Sequence, residues 1–194
     1  MAQSDLDDLY GEKVLEHCRS PRNHDRLVDA DATAHTVNAF CGDESDVQIS
    51  VDGGRVVGVG AQAVGCSVNQ ATTSMLAQAA EGVLLDDLAN LIDLFRRQMK
   101  GEALSEGDLA RLGDLATLSN VLSFPVRVKC TLLPASALEE ALESVGTGLT
   151  GVEQSGALDD LQQFKAWPTQ HNVGRHSDSL PQGQRVYPRN SPDE

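Results

Sequence analysis

The sequence predicts an α+β fold in which a small three-stranded antiparallel sheet packs against several helices. Short runs rich in β-branched residues recur at 35–40 (HTVNAF), 47–51 (VQISV) and 55–64 (RVVGVGAQAV), and the DGG at 52–54 is a hairpin signal between the last two. From Ser67 onward the apolar spacing becomes helical. With 194 residues, 40% of them apolar and only 4% aromatic, the chain supports one core of ordinary size built from Ala, Val and Leu.

Taken in order, residues 5–19 (DLDDLYGEKVLEHCR) carry Leu6, Leu9 or Tyr10, Val14 and His17 or Cys18 at helical spacing, and SPRN ends the run. The three strands follow. The segment SVNQATTSMLAQAAEG then puts Val68, Ala71, Met75 and Ala79 on one stripe, with Gly82 as its terminator. A second stripe, Leu84, Leu88, Leu91, Phe95 and Met99, has Asp86 and Asp87 in its first turn and Arg96, Arg97 and Lys100 in its last, as the helix dipole favours. Residues 101–121 read as a short helical region broken by glycines. SFPVRVKC leads from there into a final helix with Leu138, Leu142 and Val145 in register. The folded domain is expected to span 1–146. The Gly-, Pro-, Ser- and Gln-rich remainder, 147–194, reads as a mostly disordered tail with one short amphipathic helix at 157–167.

Composition excludes several classes. A net charge of −14 with no basic stripe argues against nucleic-acid binding, which depends on Lys and Arg displacing counterions. No window is apolar enough to span a membrane, and the acidic first residues do not resemble a signal peptide, so a cytoplasmic location is expected. The Asp and Arg bias fits a GC-rich genome or a salt-adapted surface.

Four cysteines, Cys18, Cys41, Cys66 and Cys130, lie far apart without a CxxC pair. A chain of this size without a secretory signal is expected to keep them reduced. Three fall at predicted junctions: Cys41 at the end of the first strand, Cys66 between the third strand and a helix, and Cys130 just after Pro125. In an antiparallel meander the loops after strands one and three share an end, so Cys41 and Cys66 are plausible neighbours. The N–H groups opening the next helix would favour a thiolate at Cys66. If Cys130 joins them, three sulfurs and the Asp43 carboxylate supply four donors, the number tetrahedral zinc prefers, and Arg127 and Lys129 would offset the excess negative charge. Gly42 permits positive φ and so lets Cys41 and Asp43 converge. Taken alone, CGD also reads as a buried Cys before an ordinary Gly-Asp turn. Cys18 is left out as a small buried hydrophobe, and His17, His24 and His35 read as single exposed histidines without ligand spacing. No GxSxG, Walker A loop or dinucleotide fingerprint is present.

The pieces VLEHCRSPRN (14–23), FCGDES (40–45), GCSVNQATTSML (65–76) and FPVRVKCTLL (124–133) together resemble the iron–sulfur cluster assembly family of IscU, SufU and the N-terminal domain of NifU. Lys129, where IscU proteins carry a histidine, and the stretch 101–121 resemble the SufU subgroup. The resemblance implies an IscU/NifU-N-like fold and a single site of Cys41, Asp43, Cys66 and Cys130. Zinc would occupy that site, with iron or a [2Fe-2S] cluster as the alternative. It further implies that Cys41 takes persulfide sulfur from a PLP-dependent cysteine desulfurase and passes it to the iron–sulfur cluster assembly machinery. The alternatives are a scaffold on which a [2Fe-2S] cluster is built, or a module with structural zinc. The chain departs from the family at Cys18, where relatives carry an aromatic, in its long tail, and at Pro134, which is expected to kink or restart the last helix just after Cys130.

Overall fold

A computed structural model describes residues 11–146. Helix α1 (Glu12–Arg19) turns Val14 and His17 inward, with Glu12 in its first turn and Arg19 in its last. The part of this helix expected at 5–10, and everything expected of 147–194, lies outside the described residues.

Strands β1 (Ala32–Asn38), β2 (Asp43–Asp52) and β3 (Arg55–Val64) form an antiparallel meander in the order β1-β2-β3. The hairpin turn falls at Gly53 and Gly54, as the DGG signal predicts. The strand boundaries differ from the sequence reading, and β1 ends at Asn38 rather than Phe40 because the Asn38 carbonyl accepts from Cys41 N and Gly42 N in a turn. β1 begins earlier, because Ala32 and Ala34 are small inward-facing residues that a search for β-branched side chains passes over. β2 reaches back to Asp43, because Asp43 and Ser45 are polar yet face inward. Cys41 therefore lies in the turn between β1 and β2 and not at a strand end.

The inner face of the sheet, with Ala32, Ala34, Val47, Ile49 and Ala61, packs on α2 (Ser67–Ala80) and α5 (Pro125–Ser144). Helix α3 (Leu85–Met99) buries Leu88, Leu91, Ile92, Phe95 and Met99, close to the stripe read from sequence. Arg96 of α3 donates to Glu139 Oε1 of α5 at 2.7 Å. The region read as helical and glycine-broken is α4 (Glu106–Leu112), capped by Ser105 Oγ, followed by a 3₁₀ segment (Gly113–Ser123).

Helix α5 does not restart after Cys130. It runs unbroken from Pro125 to Ser144 with Pro134 inside it. Pro134 removes one helical hydrogen bond, to the Cys130 carbonyl, but the helix is held on both sides of that gap by packing. Cys130, Ala135, Ala137, Leu138, Ala141 and Leu142 are all buried. Pro125 at the first helical position costs nothing, since that N–H has no helical partner.

His17 is a second correction. It is fully buried, with Nδ1 2.8 Å from Ser74 Oγ and Nε2 3.1 Å from Asp114 Oδ2, and so it joins α1, α2 and the 3₁₀ segment. Cys18 is half-buried against the core, as read, and its thiol donates to Ser67 O at 3.0 Å.

Candidate metal centre

The β1–β2 turn and the end of β3 lie at the same end of the sheet, where Glu44 pairs with Val64. Three elements meet there. The turn carries Cys41, β2 begins with Asp43, and Cys66 is the N-cap residue of α2. Helix α5 brings Cys130, which sits inside the helix and not at a junction.

One sulfur or carboxylate oxygen from each of Cys41, Asp43 and Cys130 lies within 4.8 Å of the others, and the two Sγ atoms are 3.7 Å apart. Cys66 stands outside that tightest group. It reaches the group through its backbone N–H, which donates to Asp43 Oδ1 at 3.2 Å, and through its thiol, which interacts with Cys130 and Asp43.

Two glycines make this geometry possible. Gly42 has φ +74°, a left-handed conformation that reverses the chain between Cys41 and Asp43. Gly65 has φ +128°, and a Cβ there would lie 2.2 Å from Asp43 Oδ1, so the carboxylate occupies the space a side chain would need. The Asp43 side chain is almost wholly buried, and its Oδ2 has no hydrogen-bond partner. A buried carboxylate oxygen without a donor is costly, and a cation beside the thiols would satisfy it. The donor set therefore fits a metal ion.

The site's electrostatics follow from the packing. The Cys66 thiol is lowered to about 7, first by the hydrogen bond from Cys130 and then, against burial, by the Asn69 backbone N–H. The helix start thus helps as the sequence suggests, but the neighbouring thiol contributes more. Cys130, as the donor to Cys66 and as a buried group, is pushed well up. Burial pushes the Asp43 carboxyl up, but the neighbouring thiols and the Cys66 backbone N–H outweigh it and hold the group below the usual carboxylate range. Among the cations read as supporting, Lys129 places Nζ 6.0 Å from the centroid of the Phe40 ring, beside Cys41. Arg127 lies in the first turn of α5, where its carbonyl accepts from Thr131 Oγ1 at 2.9 Å.

Sequence reasoning missed three contributors. Asn38 closes the Cys41 turn: its carbonyl accepts from Cys41 N and Gly42 N, and its Oδ1 accepts from Phe40 N at 3.1 Å. Asn69, fully buried, donates to Glu44 O and Val64 O and accepts from Ser45 Oγ at 2.8 Å, so it ties the ends of β2 and β3 to α2. Gly65 is the third. The one sequence signal was an Asn three residues before a cysteine.

A three-stranded meander backed by helices, with three cysteines and an aspartate near one sheet end, defines an α+β domain. The model of the NifU-like N-terminal domain matches residues 9–142, and the chain belongs to that family, which includes the IscU and SufU iron–sulfur cluster assembly proteins. It is 32% identical over 139 residues to the zinc-dependent sulfurtransferase SufU of Bacillus subtilis, covering 72% of this chain and 92% of that one. To the iron–sulfur cluster assembly scaffold protein IscU of Thermotoga maritima it is 28% identical, covering 71% and 94%. A crystal structure of a putative iron–sulfur cluster assembly scaffold protein for the SUF system from Fervidobacterium islandicum superposes with a TM-score of 0.65 at 27% identity, covering 70% of this chain and 98% of that one. Among the described residues no helix is long and apolar enough to cross a membrane.

Proposed function

We propose that this chain is a SufU-like, zinc-dependent sulfur acceptor in iron–sulfur cluster assembly, with Cys41, Asp43, Cys66 and Cys130 as the metal ligands. One observation carries the reading: within the tight group Cys41 is exposed while Asp43 and Cys130 are buried. One sulfur is open to another protein, and the rest of the donor set stays behind.

When bound, zinc keeps its thiol ligands deprotonated and draws them together. The chain's residues do the rest. The Cys41 thiolate attacks the terminal sulfur of a persulfide on the donor's cysteine. A new S–S bond forms on Cys41, the donor's S–S bond breaks, and the donor cysteine leaves as a thiolate while the proton stays on the transferred sulfur. No net oxidation occurs. Gly42 gives the turn its reversal, and Lys129 and Arg127 stand one and three residues before Cys130 on α5.

The donor in this reading is a PLP-dependent cysteine desulfurase, and the sulfur goes on to the iron–sulfur cluster assembly complex. The setting is the cytoplasm, where thiols stay reduced. Residues 1–146 form the assembly domain and 147–194 an appended tail. The second reading is a scaffold that builds a [2Fe-2S] cluster on the same donors, and the comparable identity to IscU proteins supports it. Lys129, where the resembling IscU proteins have histidine, supports the sulfur acceptor. Metal analysis of protein purified without added iron separates them. About one zinc per chain is expected for a tetrahedral four-donor site, and a brown protein bearing iron and sulfide would favour the scaffold.

A further inference from the structure

Asn38 ends β1 and stands opposite Asp43 in the β1–β2 register. Its carbonyl accepts from Cys41 N at 3.2 Å and from Gly42 N at 2.8 Å. Its side-chain oxygen accepts from Phe40 N at 3.1 Å, and its Nδ2 is directed as a donor to Cys130 Sγ at 3.9 Å. One carboxamide therefore fastens the base of the Cys41 turn with its oxygen and faces the buried sulfur with its nitrogen. The same turn is touched from α5 by Lys129 over the Phe40 ring.

We propose that Asn38 is a positioning residue that sets the Cys41 turn against Cys130, holding the buried sulfur in place while the exposed one moves. The inference rests on the sulfur-acceptor reading above. Three sulfurs and a carboxylate carry more negative charge than one divalent cation offsets, and a neutral N–H donor relieves that excess without competing for the ligands. The residue type follows from the geometry. An aspartate keeps an acceptor for the turn but sets a carboxylate against the Cys130 sulfur. An alanine loses both contacts. A serine is too short to span the turn and the sulfur together.

The test uses full-length Asn38→Asp and Asn38→Ala, each checked for folding by thermal unfolding, with two readouts. One is zinc affinity by chelator competition; the other is the alkylation rate of Cys41 and Cys130 in metal-free protein, resolved by mass spectrometry. Asn38→Asp is expected to keep Cys41 alkylation near wild type while loosening zinc by roughly 10–100-fold, the usual effect of losing a group that orients a metal ligand. Asn38→Ala is expected to loosen zinc similarly and also to speed Cys41 alkylation. Wild-type zinc affinity and wild-type alkylation in both variants would overturn the proposal. If Asn38→Ala does not fold, the zinc affinity of Asn38→Asp decides alone. If wild-type protein takes up no zinc, it is the zinc-dependent function that falls, and the alkylation of Cys41 in Asn38→Ala still decides the role of Asn38 in the turn.

Discussion

The Sγ atoms of Cys41 and Cys130 lie 3.7 Å apart, one exposed in a turn and the other buried in α5. A disulfide needs about 2.05 Å, so a small movement of the turn closes the gap. In metal-free protein, mild oxidation is expected to join Cys41 to Cys130 in preference to any pair involving Cys18, and prior zinc loading is expected to prevent it. Peptide mapping reads the linkage. Equal amounts of several pairings would mean that the turn does not hold Cys41 over α5.

Gly65 leaves no room for a side chain beside Asp43. Gly65→Ala is expected to displace the carboxylate and to strain a backbone at φ +128°, costing roughly 1–3 kcal/mol of stability and most of the bound zinc. Denaturant unfolding and metal content measure the two effects. A variant with full zinc content would show that Asp43 tolerates displacement or is not a ligand.

The pH dependence of alkylation in metal-free protein follows from the Cys66 thiol at about 7, against an ordinary value of 9.0. A lowered thiol is charged above its own pKa, so Cys66 reactivity is expected to rise through neutrality and level off where an ordinary cysteine is still gaining. Cys18, raised chiefly by burial, and Cys130, raised by donating to Cys66, are expected to lag behind it at every pH. Iodoacetamide labelling followed by mass spectrometry checks the order. Cys66 titrating as an ordinary thiol would contradict it.

His17 spans Ser74 and Asp114 inside the protein. Replacing it with alanine leaves both partners short of a contact, and a loss of about 1–3 kcal/mol is expected. Zinc content should be unchanged, because the ring lies outside the metal centre. Urea unfolding beside metal analysis separates a loss of stability from a loss of the site.

Cys66 was legible because the sequence switches from strand to helix period at Gly65, which places a cysteine at a helix start whatever the rest of the fold does. Cys41 was legible as a neighbour from meander topology alone, although its placement at a strand end was wrong. That error arose at Asn38, whose carbonyl accepts from Cys41 N and Gly42 N and so ends β1 two residues short of Phe40, while Asp43 and Ser45, polar residues met by Cys66 N and Asn69, hide the start of β2. No local pattern announces such partners. His17 was illegible for the same reason, since its contacts lie 57 and 97 residues away. Pro134 was read by its local cost alone, and tertiary packing of α5 outweighs one missing hydrogen bond. The resemblance joined the four donors, and the geometry brings three of them within 4.8 Å while leaving Cys66 at one remove.

The central claim is that Cys41 accepts sulfur. Zinc-loaded protein incubated with a cysteine desulfurase and cysteine, then quenched with an alkylating agent and mapped by tandem mass spectrometry, tests it most directly. One added sulfur atom on Cys41, with desulfurase stimulation lost in Cys41→Ala, is the predicted result. Sulfur found on Cys66 or Cys130 instead, or undiminished stimulation by Cys41→Ala, would contradict it.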